Sequence, residues 1–87
     1  MTKIYIYCLF DRYDHFLGVY SSLKAVHRDA VKLCNTGYSN VWMIDAGVKK
    51  DCTLVNLRNI FKGKYDYEIR YASDSAGVKI FKTKLKE

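Results

Sequence analysis

Tyrosine recurs at every second or fourth position near the end of this 87-residue chain, at Tyr65, Tyr67 and Tyr71. Side chains two residues apart on a β-strand share a face, so this spacing predicts one aromatic stripe on a strand. Tyr5 and Tyr7 repeat the pattern near the start. Lysine and arginine outnumber aspartate and glutamate by 15 to 9. The stripe therefore has two interpretations: it is half of a hydrophobic core, or it is a platform on which nucleic-acid bases stack.

The remaining hydrophobic pattern predicts one α+β domain spanning residues 1–87. Strand-like segments predict strands over residues 3–10, 16–20, 65–72 and 78–85, and a short apolar run predicts a buried strand over residues 41–44. Apolar residues at helical spacing predict helices over residues 23–35 and 54–62, capped by Ser21-Ser22 and Thr53 and followed by Gly37 and Gly63. The order is ββαβαββ, and an antiparallel sheet with both helices packed on one face buries these stripes. We expect residues 49–51 to form an exposed loop and residues 82–87 to fray.

The composition bears on where the protein is located and on whether it holds a metal or a redox site. A hydrophobic content of 49% and a charged content of 28% are typical of a folded chain. No apolar run approaches the roughly 20 residues that cross a bilayer, and the first residues do not resemble a signal peptide. Cys8, Cys34 and Cys52 are odd in number and far apart, so the sequence predicts free thiols and no CxxC metal or redox pair. We expect a cytoplasmic protein without a cofactor or metal.

The formal net charge of +6 favours a polyanionic partner. Lysine and arginine neutralise phosphates, and tyrosine rings stack on the splayed bases of RNA or other single strands. The predicted nucleic-acid interface comprises Lys62, Lys64, Tyr65, Tyr67, Arg70, Tyr71, Lys79, Lys82 and Lys84. A secondary basic ridge on the first helix comprises Lys24, His27, Arg28 and Lys32. Core packing of the tyrosines and simple solvation of the helix face are the competing explanations.

Catalysis is the third hypothesis. His15 and His27 would supply general acid–base groups for a small nuclease. Asp11 and Asp14 are two carboxylates in one turn and would suggest a metal site, but a hairpin turn needs polar residues in any case. No phosphate-binding loop, dinucleotide fingerprint or metalloprotease motif occurs in the sequence. The sequence therefore favours a binding protein over an enzyme.

Protein–protein binding is the alternative to nucleic-acid binding. The partner would be an acidic protein that the basic surface inhibits, with no role for nucleic acid. An exposed strand over residues 78–85 would pair with that partner or with a second copy of the chain, giving a homodimer. The single tryptophan, Trp42, is expected in the core.

One segment resembles a known group of proteins. The residues Phe16-Leu17-Gly18-Val19-Tyr20-Ser21-Ser22, followed by Ala25 and Ala30 in a helix, are similar to a pattern in small accessory proteins of tailed bacteriophages. The resemblance covers about the first 35 residues, which comprise an opening strand and turn, the second strand, the capping serines and the first helix. Many such proteins neutralise a host or defence factor and some bind nucleic acid, so the resemblance implies a non-enzymatic antagonist or adaptor. Its target would be a host ribonuclease or toxin in the host cytoplasm. The resemblance identifies no site residues.

Overall fold

A six-stranded antiparallel sheet with two helices on one face makes up the part of the chain that the structure describes. The computed structural model describes residues 4–35 and 40–86. In chain order the elements are β1 (Tyr5–Asp11), β2 (Phe16–Tyr20), α1 (Leu23–Cys34), β3 (Trp42–Asp45), β4 (Val48–Asp51), α2 (Leu54–Phe61), β5 (Tyr67–Ala72) and β6 (Gly77–Lys84). Across the sheet the order is β2-β1-β6-β5-β3-β4, with every neighbour antiparallel. The predicted α+β class and element order are confirmed, with β4 as an additional strand.

Strand β4 replaces the loop that we expected at residues 49–51, so that expectation is wrong. A two-residue turn joins β3 to β4, and both of its residues have positive φ, 50° at Ala46 and 82° at Gly47. Such a turn matches the twist of paired strands and closes a tight hairpin. The strand lacks an alternating apolar pattern because it lies at the sheet edge and is mostly exposed.

Both helices begin where the sequence predicts. The Ser22 hydroxyl accepts a hydrogen bond from the Ala25 amide at 3.2 Å, and the Thr53 hydroxyl accepts one from the Asn56 amide at 3.1 Å. Each bond satisfies an amide that lacks a partner in the first helical turn. The predicted cap at Gly37 lies outside the described residues. Neither helix within residues 4–35 and 40–86 has the length and apolar character needed to cross a membrane.

The core lies between the helices and one face of the sheet, here called the core face. Its buried side chains are Tyr7, Leu9, Met43, Ile69, Tyr71, Val78 and Ile80 from the strands, and Val26, Ala30, Cys34, Leu57, Ile60 and Phe61 from the helices. The intervening strand residues point to the opposite face, here called the open face. Along β6 the two sets alternate, so Val78 and Ile80 are buried while Lys79 and Phe81 are partly exposed.

Strand β6 is central, which corrects two expectations. It pairs with β1 on one side and with β5 on the other, so residues 78–85 present no free edge to a partner. The free edges belong to β2 and β4. The strand also continues through Lys84, and the Leu85 amide donates to the Ile4 carbonyl at 2.9 Å. Residues 82–84 are therefore part of the sheet and not of a frayed tail, whereas Glu87 lies outside the described residues.

Helix α2 provides a direct test of this packing. Leu57 is completely buried, whereas Val55, two residues earlier, is 62% exposed. We expect Leu57→Ala to lower the free energy of unfolding by about 2–5 kcal/mol, because it removes buried methyl groups and leaves a cavity. Val55→Ala should change it by less than about 0.5 kcal/mol. Urea unfolding followed by circular dichroism measures both, and equal midpoints for the two variants would contradict the observed orientation of α2.

Candidate functional site

The predicted nucleic-acid interface is divided between the two faces of the sheet. Arg70 is paired with Lys79 across β5 and β6, and Tyr71 is paired with Val78. Paired residues of antiparallel strands share a face, and adjacent residues take opposite faces. Arg70 and Lys79 therefore lie on the open face, and Tyr67 and Tyr71 lie on the core face. The nine predicted residues do not form one surface.

Tyr71 is buried, so its predicted role in base stacking is wrong. Its exposed fraction is 0%, and its hydroxyl lies 2.6 Å from His27 Nδ1 beneath α1. Burial raises the pKa of the phenol, which keeps it neutral. A base cannot reach this ring while α1 is in place. For Tyr71, the correct interpretation of the tyrosine stripe is therefore the hydrophobic core and not the stacking platform.

Lys82 is also removed from the surface, which corrects its predicted role in phosphate contact. The side chain is 7% exposed, and its ammonium donates to the Phe61 carbonyl at 2.6 Å. Phe61 is the last residue of α2. A cation at the C-terminus of a helix interacts favourably with the partial negative charge there. The Phe61 carbonyl accepts this bond in addition to one from the Lys64 amide at 3.1 Å. Lys82 is therefore primarily a structural residue that attaches α2 to β6.

Tyr65 does not continue the strand stripe. Strand β5 begins at Tyr67, because Asp66 adopts a positive φ of 49° and interrupts the extended backbone. The Tyr65 ring instead stacks on Tyr5 of β1, with centroids 5.5 Å apart and planes inclined by 21°. Tyr65 remains 52% exposed. The turn at Asp66 thus places one tyrosine of the predicted stripe outside the core.

Lysines surround this tyrosine pair, and we name the group the tyrosine–lysine cluster. Its members are Tyr5, Lys64, Tyr65, Tyr67, Lys82 and Lys84. The Lys84 ammonium lies 5.5 Å from the Tyr65 ring centroid, and that of Lys82 lies 4.7 Å from Tyr5. The Lys64 ammonium lies 4.2 Å from the Tyr67 ring centroid. These distances permit cation–π attraction. The cluster occupies the end of the core face beside α2, and the exposed Lys62 lies next to it in sequence.

Charge pairing distinguishes the lysines of the cluster from the lysine on the open face. Lys79 lies 2.7 Å from Asp14 and 3.5 Å from Glu68. Neither Lys64 nor Lys84 forms an ion pair with a carboxylate among residues 4–35 and 40–86. The cluster therefore retains positive charge that a phosphate can neutralise, whereas Lys79 is already neutralised.

One carboxylate lies beneath the cluster, at Asp45. It accepts hydrogen bonds from the Tyr67 hydroxyl and, at 3.3 Å, from the Lys50 ammonium. The bond from Tyr67 is the main cause of a lowered pKa for this carboxyl, so Asp45 is ionised at neutral pH. The hydroxyl of Tyr67 is consequently engaged within the protein. Tyr67 supports the cluster and is only partly exposed.

The secondary ridge on α1 is smaller than predicted. His27 is half-buried against Tyr71, and burial lowers the pKa of its imidazole, so it carries no charge at neutral pH. Arg28 is exposed but pairs with Asp29 at 3.2 Å. Lys24 and Lys32 are the exposed lysines of the ridge. The inclusion of His27 in a basic surface is wrong, because α1 turns that residue toward the sheet.

The candidate catalytic residues have separate structural partners. His15 Nδ1 lies 3.0 Å from Asp11 Oδ2, and Asp11 also accepts the amides of Tyr13 and His15, which closes the turn between β1 and β2. His27 contacts Tyr71 under α1. Among the described residues, no group of three or more His, Cys, Asp or Glu is arranged to hold a metal ion.

The open face carries an apolar patch that sequence reasoning missed. It comprises Ile4, Ile6, Cys8, Phe10, Phe16, Val19 and Phe81. Cys8 is paired with Val19 on one side and with Phe81 on the other, and the Phe10 and Phe16 rings meet at 5.7 Å. The signal was present in the sequence, since both alternating sets of β1 are apolar or aromatic.

Trp42 also lies on the open face and not in the core as expected. Its neighbour Met43 is the residue of β3 that points inward, with 0% exposure. The Trp42 indole is partly buried, and the Lys49 ammonium lies 4.3 Å from its ring centroid. Successive side chains of a strand point to opposite faces of the sheet, so the burial of Met43 places Trp42 on the open face.

Comparison of the chain with protein-family models, curated proteins and solved structures gave no match. The functional argument therefore depends on the two surfaces just described, the tyrosine–lysine cluster and the apolar patch.

The buried His27 predicts a pH dependence of stability. Its folded-state pKa lies below the value of about 6.5 for an exposed histidine, so the unfolded chain binds the proton more tightly. This contribution to the free energy of unfolding is complete above about pH 6.5 and is lost as the pH falls through the folded-state pKa. We expect His27→Gln to make the decline in stability between about pH 7 and pH 5 shallower. Urea unfolding across that range measures it, and an unchanged slope would show that His27 is not the group responsible.

Proposed function

We propose that this protein is a non-catalytic module that binds RNA or another single-stranded nucleic acid at the tyrosine–lysine cluster. The observation that carries the proposal is the ring of Tyr65, which is 52% exposed and stacks on the partly buried Tyr5. Beside it lie the ammonium groups of Lys64 and Lys84, which form no ion pair among residues 4–35 and 40–86. Lys64 and Lys84 bind phosphates, and Tyr65 stacks on a base. These are the two contacts from which binding of single strands without sequence preference is built.

Single strands suit the cluster better than duplexes. The ring of Tyr65 is about half exposed at the end of the sheet, and it accepts a base only if that base is free of its own stack. The stacked Tyr5 fixes the orientation of Tyr65, so little side-chain entropy is lost on binding. The side chains of Lys64 and Lys84 are long and exposed, so they can leave the rings to follow a flexible phosphate backbone.

The charge of the whole chain supports the same proposal. A net charge of +6 raises the local concentration of polyanions and accelerates their encounter with the protein. Lys62 and Lys86 are exposed near the cluster in sequence and extend the positive potential. The resemblance of about the first 35 residues to phage accessory proteins favours an activity that consists of binding and not of chemistry.

An acidic protein is the competing partner for these lysines. It would neutralise the same ammonium groups but would not require an aromatic ring at the position of Tyr65. Removal of the ring and removal of the charges therefore separate the two possibilities. A pull-down with and without ribonuclease adds an independent test, since a partner held directly survives the treatment.

Tyr65→Ala tests the stacking contact, with Tyr13→Ala as the matched control. Tyr13 is 65% exposed and lies in the turn between β1 and β2, away from the cluster lysines. Loss of one base–aromatic stack is worth about 1–3 kcal/mol, so we expect Tyr65→Ala to weaken binding by about 5- to 150-fold. Tyr13→Ala should have no effect. Fluorescence anisotropy with a labelled single-stranded RNA measures both, and equal affinities would exclude stacking on Tyr65.

A double variant tests the phosphate contacts. Lys64→Gln with Lys84→Gln removes two charges from the cluster, and Lys24→Gln with Lys32→Gln removes two from the outer face of α1. Each phosphate contact on a single strand contributes about −0.7 to the slope of log K against log salt concentration, so the cluster variant should flatten the slope by about 1.4. The α1 variant should leave it nearly unchanged. Equal slopes for the two variants would place the phosphate contacts elsewhere, and absence of RNA binding by the unmodified protein would reject the proposal.

A further inference from the structure

The apolar patch on the open face is unusual in the exposure of its side chains. Ile4 is 50% exposed, Phe16 61% and Val19 55%, and none of Ile6, Cys8, Phe10 or Phe81 is fully buried. Seven adjoining apolar residues on one side of a small soluble domain indicate an interaction surface. Both helices pack on the core face, and no helix within residues 4–35 and 40–86 covers the patch.

The ion pairs beside the patch disfavour a polyanion as its occupant. The lysine that borders it, Lys79, pairs with Asp14 and Glu68, and its ammonium lies 5.1 Å from the Phe10 ring centroid. No charge of Lys79 is left for a phosphate. The same neutralisation reduces the repulsion between two copies of a chain that carries +6 overall. The open face is thus the side on which two copies can approach.

The rim of the patch is self-complementary. Glu68 and Arg70 lie two residues apart on β5, share the open face and are both exposed. Glu68 shares the single ammonium of Lys79 with Asp14, so this group of three side chains keeps a net negative charge. In a twofold dimer each surface meets its own copy, so an acid and a base on one rim can each face the opposite charge. A partner of one uniform charge would satisfy only one of them.

We propose that a second copy of this chain docks on the apolar patch, open face to open face. Two sheets packed in this way interdigitate their side chains at a spacing of about 10 Å. Three strands about 4.8 Å apart and about 24 Å long give a footprint of only about 350 Å² for the patch, below the roughly 800 Å² per partner of a standard interface. The dimer is therefore weak and reversible.

Sedimentation velocity over about 1 to 500 µM, under reducing conditions that keep Cys8 a thiol, tests the proposal. Val19→Lys places a charge in the patch, and Val48→Lys is the matched control. Both valines are 55% exposed, and each lies on an edge strand, β2 or β4, but Val48 is paired with the core-face residue Asp45. We expect the unmodified chain to dimerise and Val19→Lys to raise the dissociation constant at least about tenfold, while Val48→Lys changes it by less than about twofold.

Phe16→Ser provides a second variant if Val19→Lys fails to fold, and it should weaken the dimer in the same direction. A monomer at every concentration would overturn the proposal, as would a dimer that both patch variants leave intact or that Val48→Lys disrupts equally. The test is independent of nucleic-acid binding. Val19→Lys should keep the affinity of the monomer for RNA, because the tyrosine–lysine cluster lies on the other face.

Discussion

The alternation of side chains along the central strand β6 is the constraint on which the rest of the structure depends. Because β6 pairs on both sides, it cannot shift its register without breaking its pairing with β1 and β5. Val78 and Ile80 are thereby held under the helices, and Lys79 and Phe81 are held on the open face. The division of the molecule into a covered face and an uncovered face follows from this one strand.

The tyrosine–lysine cluster lies at the end of the core face, beyond the last residue of α2. Helix α2 ends at Phe61, and the next core-face residues of β6 are Lys82 and Lys84 in place of apolar residues. Lys82 is held by the Phe61 carbonyl, and Lys84 lies beyond the covered region. Tyr5, paired with Lys84, is consequently left at the margin of the core, where the ring of Tyr65 can cover it. The same packing that closes the core therefore leaves Tyr65 exposed on a partly buried Tyr5, among cations.

Local sequence signals predict the helix caps and the hairpins β1–β2 and β5–β6. The order of the strands in the sheet depends on long-range pairing, which these signals do not specify. The caps at Ser22 and Thr53 and the hairpin of β5 and β6 require only neighbouring residues. The central position of β6 requires its pairing with a strand about 70 residues earlier, which no local pattern specifies. The charged strand β4 has no hydrophobic period because it lies at an edge. Which alternating set of β1 faces the helices was equally undetermined, since both sets are apolar or aromatic.

The candidate site shows the same limit. The sequence predicts Lys64, Tyr65 and Lys84 as part of the site. Tyr5 lies beside them only because β1 pairs with β6. Arg70 and Lys79 are separated from them because successive residues of a strand take opposite faces of the sheet. The two resulting surfaces lie on different sides of one sheet, and this arrangement has a consequence. A dimer formed through the open faces leaves a tyrosine–lysine cluster free on each copy. A single strand long enough to contact both clusters would bind the second one at a high effective concentration, so two weak contacts would combine into a stronger one without any additional interface.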